Sequence, residues 1–164
     1  MDNSSQSLSF RVYGIPAPQG SKKVARYLPG GRAVLGESSK RVKPWRQSVV
    51  YASATFIEEQ GLQGLLPLAK PVDVEIEFLF PRPRSHFGTG RNAEKLKASA
   101  PYWTTSAGDG DLDKVCRASI DGLSESSGGL LIRDDKLVVS LAASKRYCGV
   151  GEHPGAIISI SDPE

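Results

Sequence analysis

The sequence has few of the residues that identify several common protein classes. It contains two cysteines and two histidines in 164 residues. Cys116 and Cys148 show no Cys-x-x-Cys or Cys/His spacing, so neither a zinc site nor a disulfide framework is predicted, and both thiols are expected to be reduced. No acid–histidine–nucleophile pattern accompanies His86 or His153. A Ser or Cys hydrolase therefore has little support.

Long apolar runs are also missing. No stretch approaches the roughly 20 apolar residues that a membrane helix requires. Residues 1–7 have neither the basic segment nor the apolar core of a signal peptide. We therefore expect a cytoplasmic protein with no membrane partner, whose residues 1–7 are disordered.

Basic residues are plentiful but unevenly placed. The formal net charge is only +3, yet residues 1–46 carry nine basic and two acidic side chains. A second basic tract follows between positions 82 and 97. Such tracts attract polyanions through counterion release. For either tract alone, a solvated surface that merely keeps the protein in solution is an equal alternative.

Hydrophobic periodicity predicts one domain over residues 1–164, with a mixed α/β fold of α+β character. Two main helices, at 44–60 and 112–123, are expected to pack on a mixed sheet. The predicted strands are 7–15, 23–28, 32–36, 72–80, 137–147 and 156–161, of which the second and third form a hairpin. Residues 81–110 show no periodicity beyond a single helical turn near 93–97. We interpret this long basic loop as a substrate-contacting arm.

Acidic residues cluster where the second predicted helix begins. Asp109, Asp111 and Asp113 alternate there, and the pair Asp134-Asp135 follows. One interpretation is structural, because aspartates cap helix N-termini and form turns. A calcium loop of the EF-hand type is excluded, because its sixth position is Lys114 in place of glycine and its twelfth is Ile120 in place of glutamate.

The remaining interpretation is a catalytic magnesium site, for which Mn²⁺ is expected to substitute. Asp111 and Asp113 would come from the helix start and Asp135, with Asp134, from the adjoining strand, with Asp109 in an outer or capping role. Magnesium prefers a few carboxylates together with waters and phosphate oxygens. Arg117 shares a helix face with Asp113 and Asp121 and could contact the scissile phosphate. An ordinary surface ion pair is an equal alternative for Arg117 and the favoured one for Asp121.

Several segments together resemble the RusA family of Holliday-junction resolvases. The specific part is the Asp-Leu-Asp of Asp111 to Asp113 together with the Asp134-Asp135 pair. Weaker similarities lie in the segments Gly-Ile-Pro-Ala-Pro-Gln-Gly-Ser-Lys (14–22), Lys-Pro-Trp-Arg (43–46), Pro-Arg-Pro-Arg-Ser-His (81–86) and Ser-Lys-Arg-Tyr (144–147). The resemblance covers most of the chain.

The resemblance implies a magnesium-dependent, homodimeric endonuclease that nicks four-way DNA junctions symmetrically, without an organic cofactor, in a bacterial or phage-infected cell. Asp111, Asp113 and Asp135 take the family's catalytic, metal-binding places. Arg117 stands where family members often carry a catalytic lysine, and proton donation by a guanidinium is implausible. Gly110 replaces a common proline, which is expected to loosen the entrance to the helix.

The residues predicted to bind DNA phosphates are basic side chains from both tracts, the acidic helix and the last long strand: Lys22, Lys23, Arg26, Arg82, Arg84, Lys114, Lys145 and Arg146. Tyr102 and Trp103 could stack on an unpaired base, and packing within the loop is an equal alternative for Trp103. Two other functions stay open. One is a non-catalytic DNA-binding protein of the same fold, and the other is a nuclease for branched or single-stranded DNA in general.

Overall fold

The fold is a four-stranded mixed sheet with two helices packed on it, as predicted. The computed structural model describes residues 7–20, 22–37 and 40–164, and for 22–25 and 34–37 it describes the backbone alone. The predicted disorder of residues 1–7 concerns positions that, apart from Ser7, lie outside the described residues. Within the described part of the chain, no helix is long and apolar enough to cross a membrane.

The order of elements along the chain also agrees with the prediction. The strands are β1 (Leu8–Tyr13), β2 (Lys22–Tyr27), β3 (Ala33–Glu37), β4 (Val72–Phe80), β5 (Val138–Tyr147) and β6 (Gly155–Ser161). The helices are α1 (Val42–Gln60), between β3 and β4, and α2 (Leu112–Leu123), between β4 and β5.

The main sheet has the spatial order β1-β6-β4-β5. β4 and β5 run parallel, whereas β6 is antiparallel to both β1 and β4. β2 and β3 form a separate antiparallel hairpin, as the Pro29-Gly30-Gly31 turn predicted. The crossover between the parallel strands contains α2, so the topology places the acidic helix against β5.

The core lies between the sheet and the two helices. Val74, Ile76 and Phe78 of β4 are buried, as the alternation of this strand predicted. Trp45 of α1 packs edge-on against Phe78 and donates its indole N–H to Ser119 Oγ of α2 over 2.9 Å. Because its N–H group has a hydrogen-bond acceptor, the indole can be buried without leaving a polar group unpaired. The bond also joins the two helices.

One helix boundary and one turn differ from the prediction. α1 begins at Val42, two residues before Pro44, because the first helical positions have no intrahelical N–H bond for proline to lose. Its end at Gly61, in the left-handed conformation with φ of 64°, was predicted correctly. No helical turn forms at 93–97. The backbone there bends back, and Phe87 pairs with Leu96 in an antiparallel bridge.

The long loop 81–110 is held by its own hydrogen bonds. Gly88 N–H donates to Lys95 O and Lys97 N–H to His86 O, which closes a small hairpin-like bend. Three short 3-10 turns, Arg84–His86, Gly90–Asn92 and Ala107–Asp109, occupy the rest. A strand-like contact joins Trp103 to Arg146 of β5. The segment is therefore built onto the sheet edge just before α2 begins.

Candidate active site

The helix α2 begins at a carboxylate that does not cap it. Asp111 is the N-cap residue, and its backbone oxygen accepts the N–H groups of Lys114 and Val115 at 3.1 Å. Its side chain accepts no capping hydrogen bond and is 73% exposed, with Lys114 Nζ 3.5 Å from Oδ2. The structural interpretation of Asp111 as a side-chain cap is therefore wrong. Its carboxylate points to solvent, accompanied by one cation.

Asp109 is occupied differently from Asp111. The buried hydroxyl of Thr104 donates to Asp109 Oδ2 over 2.6 Å. On either side of Asp109, Arg41 donates to the carbonyl oxygen of Gly108 at 2.7 Å and Lys145 to that of Gly110 at 2.6 Å. Three side chains thus hold the segment 108–110. This arrangement fits the predicted outer role of Asp109 and fixes the backbone that leads to Asp111.

Gly110 lies at the start of α2, the helix entrance that the sequence predicted to be loosened. Its φ of 84° is one that proline cannot adopt and that other L-residues rarely adopt. A Cβ added here would lie 2.4 Å from Pro18 Cγ. The neighbouring Gln19 N–H donates to Lys114 O at 3.1 Å. The N-terminal Pro-x-Pro-x-Gly segment thus packs against the start of α2, and the loosening of this entrance stays a prediction.

An open cavity of about 380 Å³ lies between α2 and the start of β5. Asp113, Arg117 and Asp121 line it from the helix, which confirms that their four-residue spacing puts them on one face. Asp135 lines it from the 3-10 turn that immediately precedes β5. The apolar part of the wall consists of Ile120, Val138, Val139 and Leu141. The fold thus brings two predicted metal ligands and the predicted catalytic arginine together.

The other two predicted ligands do not line this cavity. Asp111 lies at the N-terminal end of α2, beyond Asp113. Asp134 accepts the backbone N–H of Lys136 at 3.0 Å and so caps the short turn that carries Asp135. That backbone hydrogen bond, followed by a hydrogen bond with Asp135, lowers the pKa of Asp134. Asp134 therefore acts as the turn cap that presents Asp135 to the cavity.

An ion pair that the sequence did not predict joins the two helices beside the cavity. Arg46 Nη2 of α1 lies 3.3 Å from Asp121 Oδ2 of α2, and both side chains are mostly buried. This partner adds to the predicted pairing of Asp121 within its own helix, which stays a prediction. Arg46 was visible in the sequence as a member of the first basic tract and of the Lys-Pro-Trp-Arg segment, with no sign of its partner. A cross-helix pair of this kind has no signature in sequence spacing.

The thiol of Cys116 also lines the cavity. Burial, and then the nearby charge of Asp113, raise its pKa to about 11. The thiol is therefore neutral at physiological pH and is not a thiolate nucleophile. The reactive surface of the cavity is formed by carboxylates and the guanidinium of Arg117.

The structure places the predicted DNA-binding residues in different surroundings. The side chains of Lys22 and Lys23 lie outside the described residues, and Arg26 is exposed on β2. Arg82 donates to the carbonyl oxygens of Cys148 and Pro101, and Arg84 donates to that of Ala93. These two arginines hold the loop 81–110 to its surroundings. Whether they also contact DNA stays a prediction.

Arg146 lies in an acidic cage. It forms ion pairs with Glu152 on one side and Glu77 on the other, and its side chain is 13% exposed. The hydrogen bond to Glu152 raises the pKa of Arg146 further and lowers the pKa of Glu152 to about 2. Two carboxylates offset the charge of this guanidinium. Arg146 thus links the end of β5 to Glu77 of β4 and to Glu152 in the loop that follows β5.

Comparison with known families agrees with the site. A family model described as endodeoxyribonuclease RusA matches residues 15–161, nearly the whole chain. The chain belongs to the RusA family. It is therefore an endodeoxyribonuclease of a Holliday-junction-resolving family, and the predicted resemblance is confirmed. No curated protein matches the sequence at a significant level. The match includes β4, α2 and β5, so the cavity and all its lining residues lie inside the RusA region.

Proposed function

We propose that this RusA-family chain is a Mg²⁺-dependent endonuclease, with Mn²⁺ able to substitute, that resolves four-way DNA junctions by symmetric hydrolysis of phosphodiesters. One observation carries the proposal. Asp113, Asp135 and Arg117 line a single open cavity in a fold whose family cleaves DNA. Carboxylates without cations would repel a phosphate backbone, whereas a bound metal ion and a guanidinium attract it.

The donor set of the cavity fits magnesium. Among the described residues, no three His, Cys, Asp or Glu side chains stand close enough to hold a metal by themselves. Asp113 and Asp135 offer two carboxylates to one space, and magnesium retains several waters and accepts phosphate oxygens as its other ligands. Asp113 and Asp135 would therefore hold the ion, with Asp111 the next carboxylate along the helix and Asp134 supporting Asp135. When bound, the ion would activate a water and neutralise charge on the phosphate.

The protein residues contribute position and charge. Arg117 provides a permanent cation on the cavity wall, suited to a phosphate oxygen. Because a guanidinium does not give up a proton at physiological pH, we assign Arg117 to electrostatic stabilisation and not to general acid catalysis. Val139 and Leu141 form an apolar wall on one side of the cavity, and both are exposed.

A two-fold substrate favours a two-fold enzyme. Symmetric cleavage of a four-way junction requires two active sites, which a homodimer of this chain would supply. The basic residues of the loop 81–110 and of β2 would hold the arms of the DNA through their phosphates. Because its substrate would be branched DNA, we expect the enzyme to act in the cytoplasm of a bacterial or phage-infected cell. Hydrolysis of a phosphodiester requires no organic cofactor.

Cleavage of a synthetic four-way junction in magnesium tests the proposal. We expect Asp113→Asn and Asp135→Asn each to reduce the single-turnover rate at least 100-fold and Arg117→Ala to reduce it about 10- to 1,000-fold, in line with loss of one electrostatic contact. Asp73→Asn, on β4 and outside the cavity lining, is the matched control. Wild-type rates in both Asp113→Asn and Asp135→Asn would contradict the assignment.

Two further measurements separate the alternatives. Isothermal titration with magnesium should show binding that Asp113→Asn weakens, whereas a non-catalytic DNA-binding protein would bind no metal in the millimolar range. Parallel assays with a four-way junction, a Y-fork and a linear duplex define the substrate. Equal cleavage of the junction and the fork would favour a general nuclease for branched DNA.

A further inference from the structure

Two aromatic side chains lie exposed next to each other on the loop before α2. Tyr102 is 55% and Trp103 57% exposed, and their rings meet edge to face with centroids 4.7 Å apart. We call this pair the aromatic platform. Large aromatic residues are normally buried, and an exposed pair marks a surface that another molecule covers. The two rings contact each other and leave more than half of their surface open to a partner.

The backbone beneath the platform is fixed. Tyr147 N–H of β5 donates to Tyr102 O at 3.0 Å, and Trp103 pairs with Arg146 in an antiparallel bridge. The Arg146 guanidinium lies 5.8 Å from the centre of the Tyr102 ring and is itself held by Glu77 and Glu152. The rings therefore stand on a strand edge and not on a mobile loop tip. Such rigidity lowers the entropy that a bound partner would cost.

The platform is also connected to the catalytic helix. Thr104, the residue after Trp103, is buried and donates its hydroxyl to Asp109, two residues before Asp111. Lys145, the residue before Arg146, donates to Gly110 O. Both connections lead from the platform to the start of α2. The platform and the start of α2 are therefore held to each other by two hydrogen bonds.

The charge around the platform indicates the chemistry of its partner. The same loop carries the exposed cations Arg91, Lys95 and Lys97, against which only Glu94 and Asp109 stand. A basic surface with exposed aromatic rings suits single-stranded nucleic acid, because cations hold the phosphates while bases stack on the rings. The strand exchange point of a branched DNA exposes base faces, since stacking between neighbouring base pairs is interrupted there.

We propose that Tyr102 and Trp103 stack on a base at the branch point whose stacking on its neighbour is interrupted, and so position the neighbouring phosphodiester at the active site. The proposal rests on the proposed function, which supplies branched DNA as the substrate. In this role the platform is a positioning element. It selects the branch point over continuous duplex, because bases within a duplex are already stacked on each other.

The test measures binding without metal, so that cleavage plays no part. The probe is a four-way junction with 2-aminopurine at the branch point, and a linear duplex of the same length is the reference. We expect Trp103→Ala to weaken junction binding about five-fold or more and to remove the change in 2-aminopurine fluorescence. Trp103→Phe should stay within about three-fold of wild type, because phenylalanine keeps a stacking ring. Duplex binding should be unaffected by either variant.

Controls keep the result specific. Tyr51→Ala removes another exposed ring, 76% exposed on α1, and should leave junction binding unchanged. Junction binding by Trp103→Ala at the wild-type level would overturn the proposal, as would an equal loss of junction and duplex binding. A changed oligomeric state of Trp103→Ala in sedimentation would also overturn it, since the rings would then contact a second copy of the chain.

The wild-type protein provides an independent measurement if Trp103→Ala does not fold. Trp45, the other tryptophan, is 1% exposed, so DNA that quenches tryptophan emission acts on Trp103. Quenching by a short single-stranded oligothymidine supports stacking, and unchanged emission at saturating DNA overturns it. The binding and fluorescence measurements contain no metal and do not depend on cleavage. If the aspartate variants cleaved DNA like the wild type, the proposed function would fail, whereas the stacking result would still stand.

Discussion

Lys145 Nζ donates to the carbonyl oxygen of Gly110 over 2.6 Å, and this bond joins the outer strand β5 to the residue that precedes Asp111. The sequence suggested a phosphate contact for Lys145. In the structure its ammonium group holds the backbone from which α2 starts, and a phosphate contact stays a prediction. Positioning of the acidic residues therefore depends on a basic residue 35 positions away in sequence.

We predict that Lys145→Met destabilises the protein by about 1–3 kcal/mol, because the half-buried Gly110 carbonyl loses a charged donor. Urea unfolding followed by circular dichroism measures the change. Lys97→Met, an exposed lysine on the loop 81–110, is the matched control and should change stability by less than about 0.5 kcal/mol. Equal stability of both variants would show that the Lys145 bond contributes nothing.

Gly110→Ala is predicted to destabilise the protein by about 2–4 kcal/mol, because a Cβ adds both left-handed backbone strain and a contact with the Pro18 ring. Gly128→Ala separates the two effects. Its φ of 96° is similar, but an added Cβ meets nothing within 4 Å. It should therefore lose only the backbone part, about 1–2 kcal/mol. Thermal unfolding of the two variants measures the difference in their stability. Equal losses would mean that the Pro18 ring moves aside at no energetic cost.

The pair formed by Arg46 and Asp121 should couple the two helices energetically. A double-mutant cycle with Arg46→Met and Asp121→Asn is expected to give a coupling of about 1 kcal/mol, because the charges are largely shielded from water. Lys70 and Asp162 form the matched exposed pair, with side chains 53% and 43% accessible. Their coupling should be below about 0.5 kcal/mol. Coupling of the exposed pair at or above that of Arg46 and Asp121 would contradict this prediction.

Acid stability should depend on Glu152. Its pKa is lowered from 4.5 to about 2, mainly by the hydrogen bond from Arg146. A group with a depressed pKa in the folded state stabilises the protein above its unfolded pKa and loses this contribution as the pH falls towards its folded pKa. The window here runs from about pH 4.5 down to about 2.

The measurement is the unfolding midpoint of the wild type and Glu152→Gln as a function of pH. Wild type should be the more stable above pH 4.5, and the difference should shrink progressively towards pH 2. Glu58→Gln, an exposed carboxyl on α1, is the control. A difference between wild type and Glu152→Gln that does not change over this window would rule out the Arg146 contact as its source.

Most secondary structure could be predicted because it depends on local pattern. The alternation of β4 from Val72 to Phe80 shows which face is buried, and the four-residue spacing of Asp113, Arg117 and Asp121 shows which face of α2 is shared. The predictions were less exact at a helix boundary and within the long loop, where hydrophobic spacing carries little signal. Pro44 did not mark the first residue of α1, and the segment after Asn92 bent back to pair with Phe87.

The sequence by itself determined the family, the order of elements and the carboxylates of the site, because motif spacing and hydrophobic periodicity are local properties of the chain. Only the tertiary structure decided how those carboxylates divide. Asp113 and Asp135 meet in one cavity because α2 crosses back over the parallel pair β4 and β5. Asp134 caps a turn, Asp109 accepts from Thr104, and Asp111 faces solvent. The meeting of Asp113 and Asp135 joins two elements that are separate in sequence, whereas the other three roles depend on the direction in which each local turn points its carboxylate. Composition and spacing encode neither.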